Sequence, residues 1–130
     1  MIHVLDASAL LAVSKGERGT DYVMDLTHEH DCVISSVNVA EVATKLIDMG
    51  MPAHTLQRAI EQFGVDVVDF NQEQALACAA LRPLIKSAGL SLGDRACLAL
   101  AKLMQGCAVT GDSAWSEVEE AVGVKVLQIR

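Results

Sequence analysis

Short apolar runs of strand character alternate along the whole chain with stretches of helical three-to-four spacing. The runs fall at residues 2–5, 32–34, 65–69, 107–109 and 126–129. Between them, Val39, Val42, Ala43, Leu46 and Ile47 share one helical face, and Leu56, Ala59, Ile60 and Phe63 share another. Gly50 and Pro52 separate those two helices. Residues 95–104 are apolar almost all round, broken by Lys102, which predicts a helix buried on most of its faces. Its start at Asp94 must then emerge at the protein edge. Pro83 removes a backbone donor and crowds the preceding turn, so it predicts a kink between residues 75–81 and 84–85. Trp115, Val118 and Val122 stand at helical spacing and read as core or interface rather than as a base-stacking site.

Strands that alternate with helices predict an α/β fold with a parallel sheet covered on both faces. Parallel neighbours need crossovers, and those crossovers are right-handed. In such a sheet every strand ends on the same edge, and ligands bind there, where the strand order reverses. Asp6 and Asp112 follow, or nearly follow, strand runs and should share that edge. No Gly/Ser/Pro-rich linker and no internal repeat divides the sequence, so residues 1–130 read as a single domain, long enough to bury a core without staples.

Composition narrows the chemistry. The chain is 52% hydrophobic but only 3% aromatic, so its interior is aliphatic and base stacking has only Tyr22, Phe63, Phe70 and Trp115 to draw on. A net charge of -7 argues against a general nucleic-acid coat, which needs clustered Lys and Arg. It is compatible with an enzyme whose metal ions supply positive charge locally. The cysteines Cys32, Cys78, Cys97 and Cys107 form no C-x-x-C pair and read as buried thiols of a reducing compartment. Asp6 follows directly on the first apolar run, unlike a signal peptide, and no run approaches membrane-spanning length. The expected location is cytoplasmic, with no membrane association.

Four acids, Asp6, Glu41, Asp94 and Asp112, each stand near an expected helix start. Each has a simple reading as a cap. Asp6 and Asp112 could accept backbone hydrogen bonds at helices beginning near Ala7 and Ser113, while Asn38 to Glu41 and Ser91 to Asp94 fit the capping-box template. Gathered at one edge they would repel: a like pair at roughly 4 Å costs about 4 kcal/mol at an effective dielectric of 20. Ser, Thr or Asn would cap without that cost. Mg²⁺ and Mn²⁺ prefer oxygen ligands and would remove the repulsion, and helix N-termini favour the negative charge. Such ions would lower the pKa of a bound water and stabilise the leaving oxygen of a phosphodiester.

The stretch Val4-Leu5-Asp6-Ala7-Ser8, the segment from Asn38 to Glu41, Ser91-Leu92-Gly93-Asp94-Arg95 and Thr110-Gly111-Asp112 together resemble the signature segments of PIN-domain ribonucleases, in particular the VapC toxins of type II toxin–antitoxin modules. The resemblance runs the length of the chain and includes the order and spacing of the acids. It implies a three-layer domain with sheet order 3-2-1-4-5 and cleavage of RNA with Mg²⁺ or Mn²⁺, leaving a 5′-phosphate and a 3′-hydroxyl. Carried over, Asp6, Glu41, Asp94 and Asp112 match the family's metal-binding acids, and Ser8 and Thr110 match polar positions beside them. The resemblance also implies a homodimer held inactive by a VapB-type antitoxin, which lays a helix and an extended tail, with an Arg reaching the carboxylates, across the toxin's groove.

Around these acids, two readings stand for several residues. Ser8 can bond the Asp6 carboxylate or a substrate phosphate, or satisfy a local amide at the helix start. Thr110 has the same choice, with a turn beside Gly111 as the simpler role. Asn38 reads first as a cap and second as a polar group supporting the acids, and Arg95 either touches RNA phosphate or forms a surface ion pair. Lys45, Arg82, Lys86, Arg95 and Lys102 read as scattered solvated charges unless the fold gathers them into a basic rim. His28, His30 and Cys32 would share a face on an extended segment, but they lack a fourth ligand and read as a solvated helix end. His3 and His54 have no identifiable partners.

Two other functions compete with a nuclease. A phosphoacceptor signalling domain has this size and also uses Mg²⁺ and clustered acids. It needs an acceptor after the third strand, where Asp69 is available, but it also needs paired acids after the first strand and a Lys past the last, whereas Lys125 precedes the final run. A PIN-like binding module without catalysis would have lost some of the acids, and all are present.

Overall fold

A computed structural model describes residues 1–130. In chain order the elements are β1 (His3–Leu5), α1 (Ala7–Lys15), α2 (Thr20–Glu29), β2 (Cys32–Ser35), α3 (Ser36–Asp48), α4 (Leu56–Glu61), β3 (Asp66–Val68), α5 (Gln72–Ala80), α6 (Arg82–Ile85), α7 (Leu92–Leu103), β4 (Cys107–Thr110), α8 (Glu119–Val122) and β5 (Val126–Gln128), with 3₁₀ turns at Ala53–Thr55, Lys86–Ala88 and Ser113–Glu117. The strands form one parallel sheet in the order β3-β2-β1-β4-β5. Each expected apolar run is one of these strands, and the order is the one the resemblance implies.

Burial explains why these runs pair as they do. The three central strands are buried throughout, while the edge strands β3 and β5 are not. Alternate side chains feed two separate cores, as the two-residue strand period requires. Leu5, Ile34 and Val109 face α1, α2 and α3, whereas Val4, Val33 and Ala108 face α5, α7 and the Trp115 segment. From Ala96 to Ala101 α7 has no exposed residue, and its small side chains let it lie close enough to the sheet for the Cys97 Sγ to approach Val4 O at 3.6 Å. This is the helix expected to be buried on most faces. Trp115 is wholly buried beside Val118 and Val122, as expected for a core residue.

Three local expectations change. The helix carrying Glu41 is capped by Ser35, the last residue of β2, whose hydroxyl accepts from Val37 N at 3.2 Å. Strand passes to helix without a loop, so Asn38 is a helical residue and Glu41 lies in the second turn rather than the first. Pro83 does not kink a continuous helix. α5 ends at Ala80, and α6 starts afresh with Pro83 in its first turn, where the missing N–H is tolerated. Of the helix α2 only the end near His28 was expected, not its start or extent. It begins at Gly19, whose φ of 103° only glycine adopts freely and which lies so close to the β5 end that a Cβ would sit 2.7 Å from Ile129 O.

His28 lies exposed at the end of α2 with Nδ1 2.7 Å from Met24 O, and the Cys32 thiol is buried against Leu26 O. His30 instead stacks on His3, ring centres 4.6 Å apart. The trio does not converge on a ligand position. No helix of the chain is long and apolar enough to cross a membrane.

Candidate active site

The sheet registers Leu5 against Ile34 and Val109, and Asp6 N continues the ladder by donating to Val109 O at 3.0 Å. Asp6 therefore leaves the sheet at the C-terminal edge beside Thr110. It caps α1, accepting from Ala9 N at 2.9 Å. Ser8 Oγ lies 2.7 and 2.9 Å from its two oxygens, and Thr110 Oγ1 donates to Oδ2 at 2.6 Å. Both hydroxyls are polarised from behind, because Gly111 N donates to Ser8 Oγ at 2.8 Å and Asp112 N donates to Thr110 Oγ1 at 3.0 Å. Ser8 and Thr110 thus both bond the Asp6 carboxylate, and the turn at Gly111 serves the same network.

Asp6 is only 4% exposed. Burial pushes its carboxyl up to about 6, against the pull of the Thr110, Ser8 and Ala9 hydrogen bonds, and the Asp94 charge adds to the rise. None of the groups acting on it is a cation.

Glu41 and Asp94 approach from α3 and α7, which pack together. Asn38 Nδ2 donates to Glu41 Oε1 at 2.9 Å and to Gly93 O at 3.1 Å. Asp94 and Ser91 form the expected capping box, with Ser91 N donating to Asp94 Oδ2 at 2.9 Å and Asp94 N donating to Ser91 Oγ at 3.2 Å. The charges of Asp6, Asp94 and Glu41 all raise the Cys97 thiol, which lies buried one turn along α7 from Asp94. Asp112 sits further out. It is exposed, and its Oδ1 accepts from Ala114 N at 3.0 Å to cap the 3₁₀ turn.

The other expected residues divide. Arg95 is half-buried and turns toward α5, where its charge acts on the Cys78 thiol; its Nε is buried without a partner. Lys45 lines a groove with Ala7, Leu11 and Glu41. Lys102 lies eight residues past Asp94 along α7, about 12 Å away at the helical rise, so it does not stand beside the acids. Sequence reasoning missed Gly93 and Arg130, and it ranked Asn38 first as a cap, whereas its side chain bonds Glu41. The Arg130 guanidinium lies beside Gly111, 3.0 Å from where a Cβ would stand. Asp69 follows the edge strand β3, two strands from β1. A phosphoacceptor domain has the order 2-1-3-4-5, with its acceptor strand beside β1, so this topology excludes that reading.

The donors around Asp6 are carboxylates and hydroxyls, with no His and no available thiol, a set suited to hard divalent cations. A buried carboxylate with a second one acting on it is the electrostatic setting that such an ion relieves. As the side chains stand, no three acids converge to ligating distance, because Asp94 Oδ2 and Asp112 Oδ1 are held by backbone amides. Asn38 Oδ1 is buried and unpartnered, an arrangement that costs about 1–3 kcal/mol.

The fold resembles those of several solved structures. A DNA-bound VapBC from Salmonella typhimurium aligns with a TM-score of 0.75 at 14% identity, covering 100% of this chain and 99% of that one. A toxin–antitoxin complex from Klebsiella pneumoniae aligns with a TM-score of 0.73 at 20% identity, covering 98% of each chain. FitAcB from Neisseria gonorrhoeae gives 0.73 at 20% identity, covering 99% and 98%. No curated protein matches the chain at a significant level. The PIN domain model matches residues 3–121, a span that takes in β1 with Asp6, β4 with Thr110 and the helices between them, and the chain belongs to the PIN domain family.

Proposed function

We propose that this chain is a Mg²⁺- or Mn²⁺-dependent endoribonuclease and the toxin of a VapC-type toxin–antitoxin pair. The observation that carries the reading is Asp6, a buried carboxylate under the influence of Asp94, oriented by two hydroxyls and without a cationic side chain to neutralise it. PIN domains are nucleases, and the structures this fold resembles include a toxin–antitoxin complex and a VapBC assembly.

In this reading Asp6, Glu41 and Asp94 hold the ion, with Asp112 as a fourth carboxylate at the rim. The ion, when bound, supplies an activated water and charge stabilisation at the scissile phosphate. Ser8 and Thr110 donate to Asp6, which fixes the direction of its lone pairs and favours its ionised form. Arg130 offers a guanidinium to an RNA phosphate flanking the cut. The products are a 5′-phosphate and a 3′-hydroxyl. The chain works as a cytoplasmic homodimer, and a VapB-type antitoxin silences it through a basic residue that reaches the carboxylates. Retention of all four acids stands against a PIN-like module without catalysis.

The test is cleavage of a structured RNA by the purified chain. Addition of Mn²⁺ or Mg²⁺ is expected to support cleavage and excess EDTA to abolish it. Cutting that persists in EDTA would refute the reading. In an Asp6→Asn background, Arg130→Ala is expected to weaken RNA binding and to lower the slope of log affinity against log salt by about 0.7, the share of one phosphate contact on a single strand. Fluorescence anisotropy across a salt series measures it, and an unchanged slope removes Arg130 from the interface.

A further inference from the structure

Glu41 is exposed in the second turn of α3, and a free glutamate there would sample many directions. Two neighbours remove that freedom. Asn38, one turn earlier and 1% exposed, uses its single amide nitrogen to tie Glu41 Oε1 to Gly93 O. Gly93 supplies the floor. A Cβ there would overlap the Glu41 carboxylate, lying 2.6 Å from Cδ and 2.7 Å from Oε2, closer than real Cβ contacts come.

Backbone conformation demands neither residue, although the Asn38 bond to Gly93 O also links α3 to α7. The Gly93 backbone is helical with no positive φ, so no torsion demands glycine, and glycine in a helix is less favourable than alanine. Asn38 keeps Oδ1 buried without a partner, which an apolar side chain at the same place would avoid. Each position carries a disadvantage for stability, and each touches the same carboxylate. Gly93 also directly precedes Asp94, so a side chain fixed on Gly93 is registered against the next acid.

Resting on the metal-dependent reading above, we infer that Asn38 and Gly93 are positioning residues that seat the Glu41 carboxylate beside Asp94 for capture of the divalent ion. Asn38 does so by hydrogen bonding and Gly93 by leaving room. Neither touches substrate, and both act through Glu41.

The experiment is Mn²⁺ binding to the full chain without RNA, by calorimetry or by the spin-resonance signal of free Mn²⁺. Asp6→Asn and Glu41→Gln serve as references and are expected to lose most of the affinity. Asn38→Leu and Gly93→Ala are each expected to lower Mn²⁺ affinity about 10- to 100-fold, the range for residues that orient a ligand. The metal-free Asn38→Leu protein is expected to melt at or above the wild-type temperature, which separates positioning from a structural role. Adding Asn38→Leu to Glu41→Gln should weaken binding no further, because both act on one group. Should Asn38→Leu fail to fold, Gly93→Ala decides, since alanine suits a helix. Wild-type affinity in both seat variants, with the references impaired, overturns the seat and leaves the metal site standing. Wild-type affinity in all four overturns both.

Discussion

Asp6→Asn is expected to abolish RNA cleavage, lowering kcat/KM by about 10³-fold or more, equivalent to about 4 kcal/mol of transition-state stabilisation. The estimate follows from the geometry. Residues that merely orient a metal ligand cost about 10- to 100-fold when replaced, and Asp6 is the carboxylate that Ser8 and Thr110 orient. Asparagine has the same shape and keeps an oxygen to cap α1 from Ala9 N, so the loss does not arise from a broken helix start. Asp94→Asn should behave similarly. Asp112→Asn should cost less, because Asp112 is exposed and its charge is not among those converging on Cys97. Product formation with Mn²⁺ present measures all three, and wild-type turnover by the Asp6 variant would rule out the site.

In EDTA the same substitution is expected to make the protein more stable at neutral pH. The Asp6 carboxyl is held near 6 in the folded chain against 3.8 when free, so its folded pKa is the raised one. Below about pH 3.8 the group is neutral in both states and its contribution is complete. That contribution is lost as pH climbs through about 6, where the buried group ionises. The shift corresponds to about 3 kcal/mol. Other carboxylates titrate over the same span, so the quantity to follow is the difference between wild type and Asp6→Asn in urea unfolding from pH 4 to 7.5. That difference should open above pH 4 in favour of the variant and level off above about 6. Parallel curves would show that Asp6 is not strained by burial. Mn²⁺ should reverse the order, stabilising wild type at neutral pH through binding to the folded state alone.

Most of the fold was legible because its strands are short, mostly apolar runs and most of its helices bury a recurring apolar face. The extent of α2, beyond its end near His28, was not legible because only Val23 and Leu26 of its ten residues are buried, too few to set a period. The acids at strand ends were legible for a topological reason: in a parallel sheet, position after a strand fixes the edge. What the sequence hid was orientation. The Asn38-to-Glu41 spacing is real, and the two side chains do bond, but the same three-residue step serves a helix start and a helix face alike. Ser35 took the cap because β2 runs directly into α3. The role of Gly93 depends on a contact with Glu41 across two packed helices, and the Asn38 bond to Gly93 O spans 55 residues, so no local pattern announces either.

The buried indole of Trp115 has a practical consequence. It is the chain's one tryptophan, and it is packed against Val118 and Val122 in the core on the α7 side of the sheet, within the 3₁₀ turn that Asp112 caps. Its intrinsic emission therefore arises from a single known environment. A red shift on denaturation registers solvent reaching that layer without any attached dye, and a change in intensity on titration with a quiet ion such as Mg²⁺ offers an optical gauge at the rim of the acidic cluster.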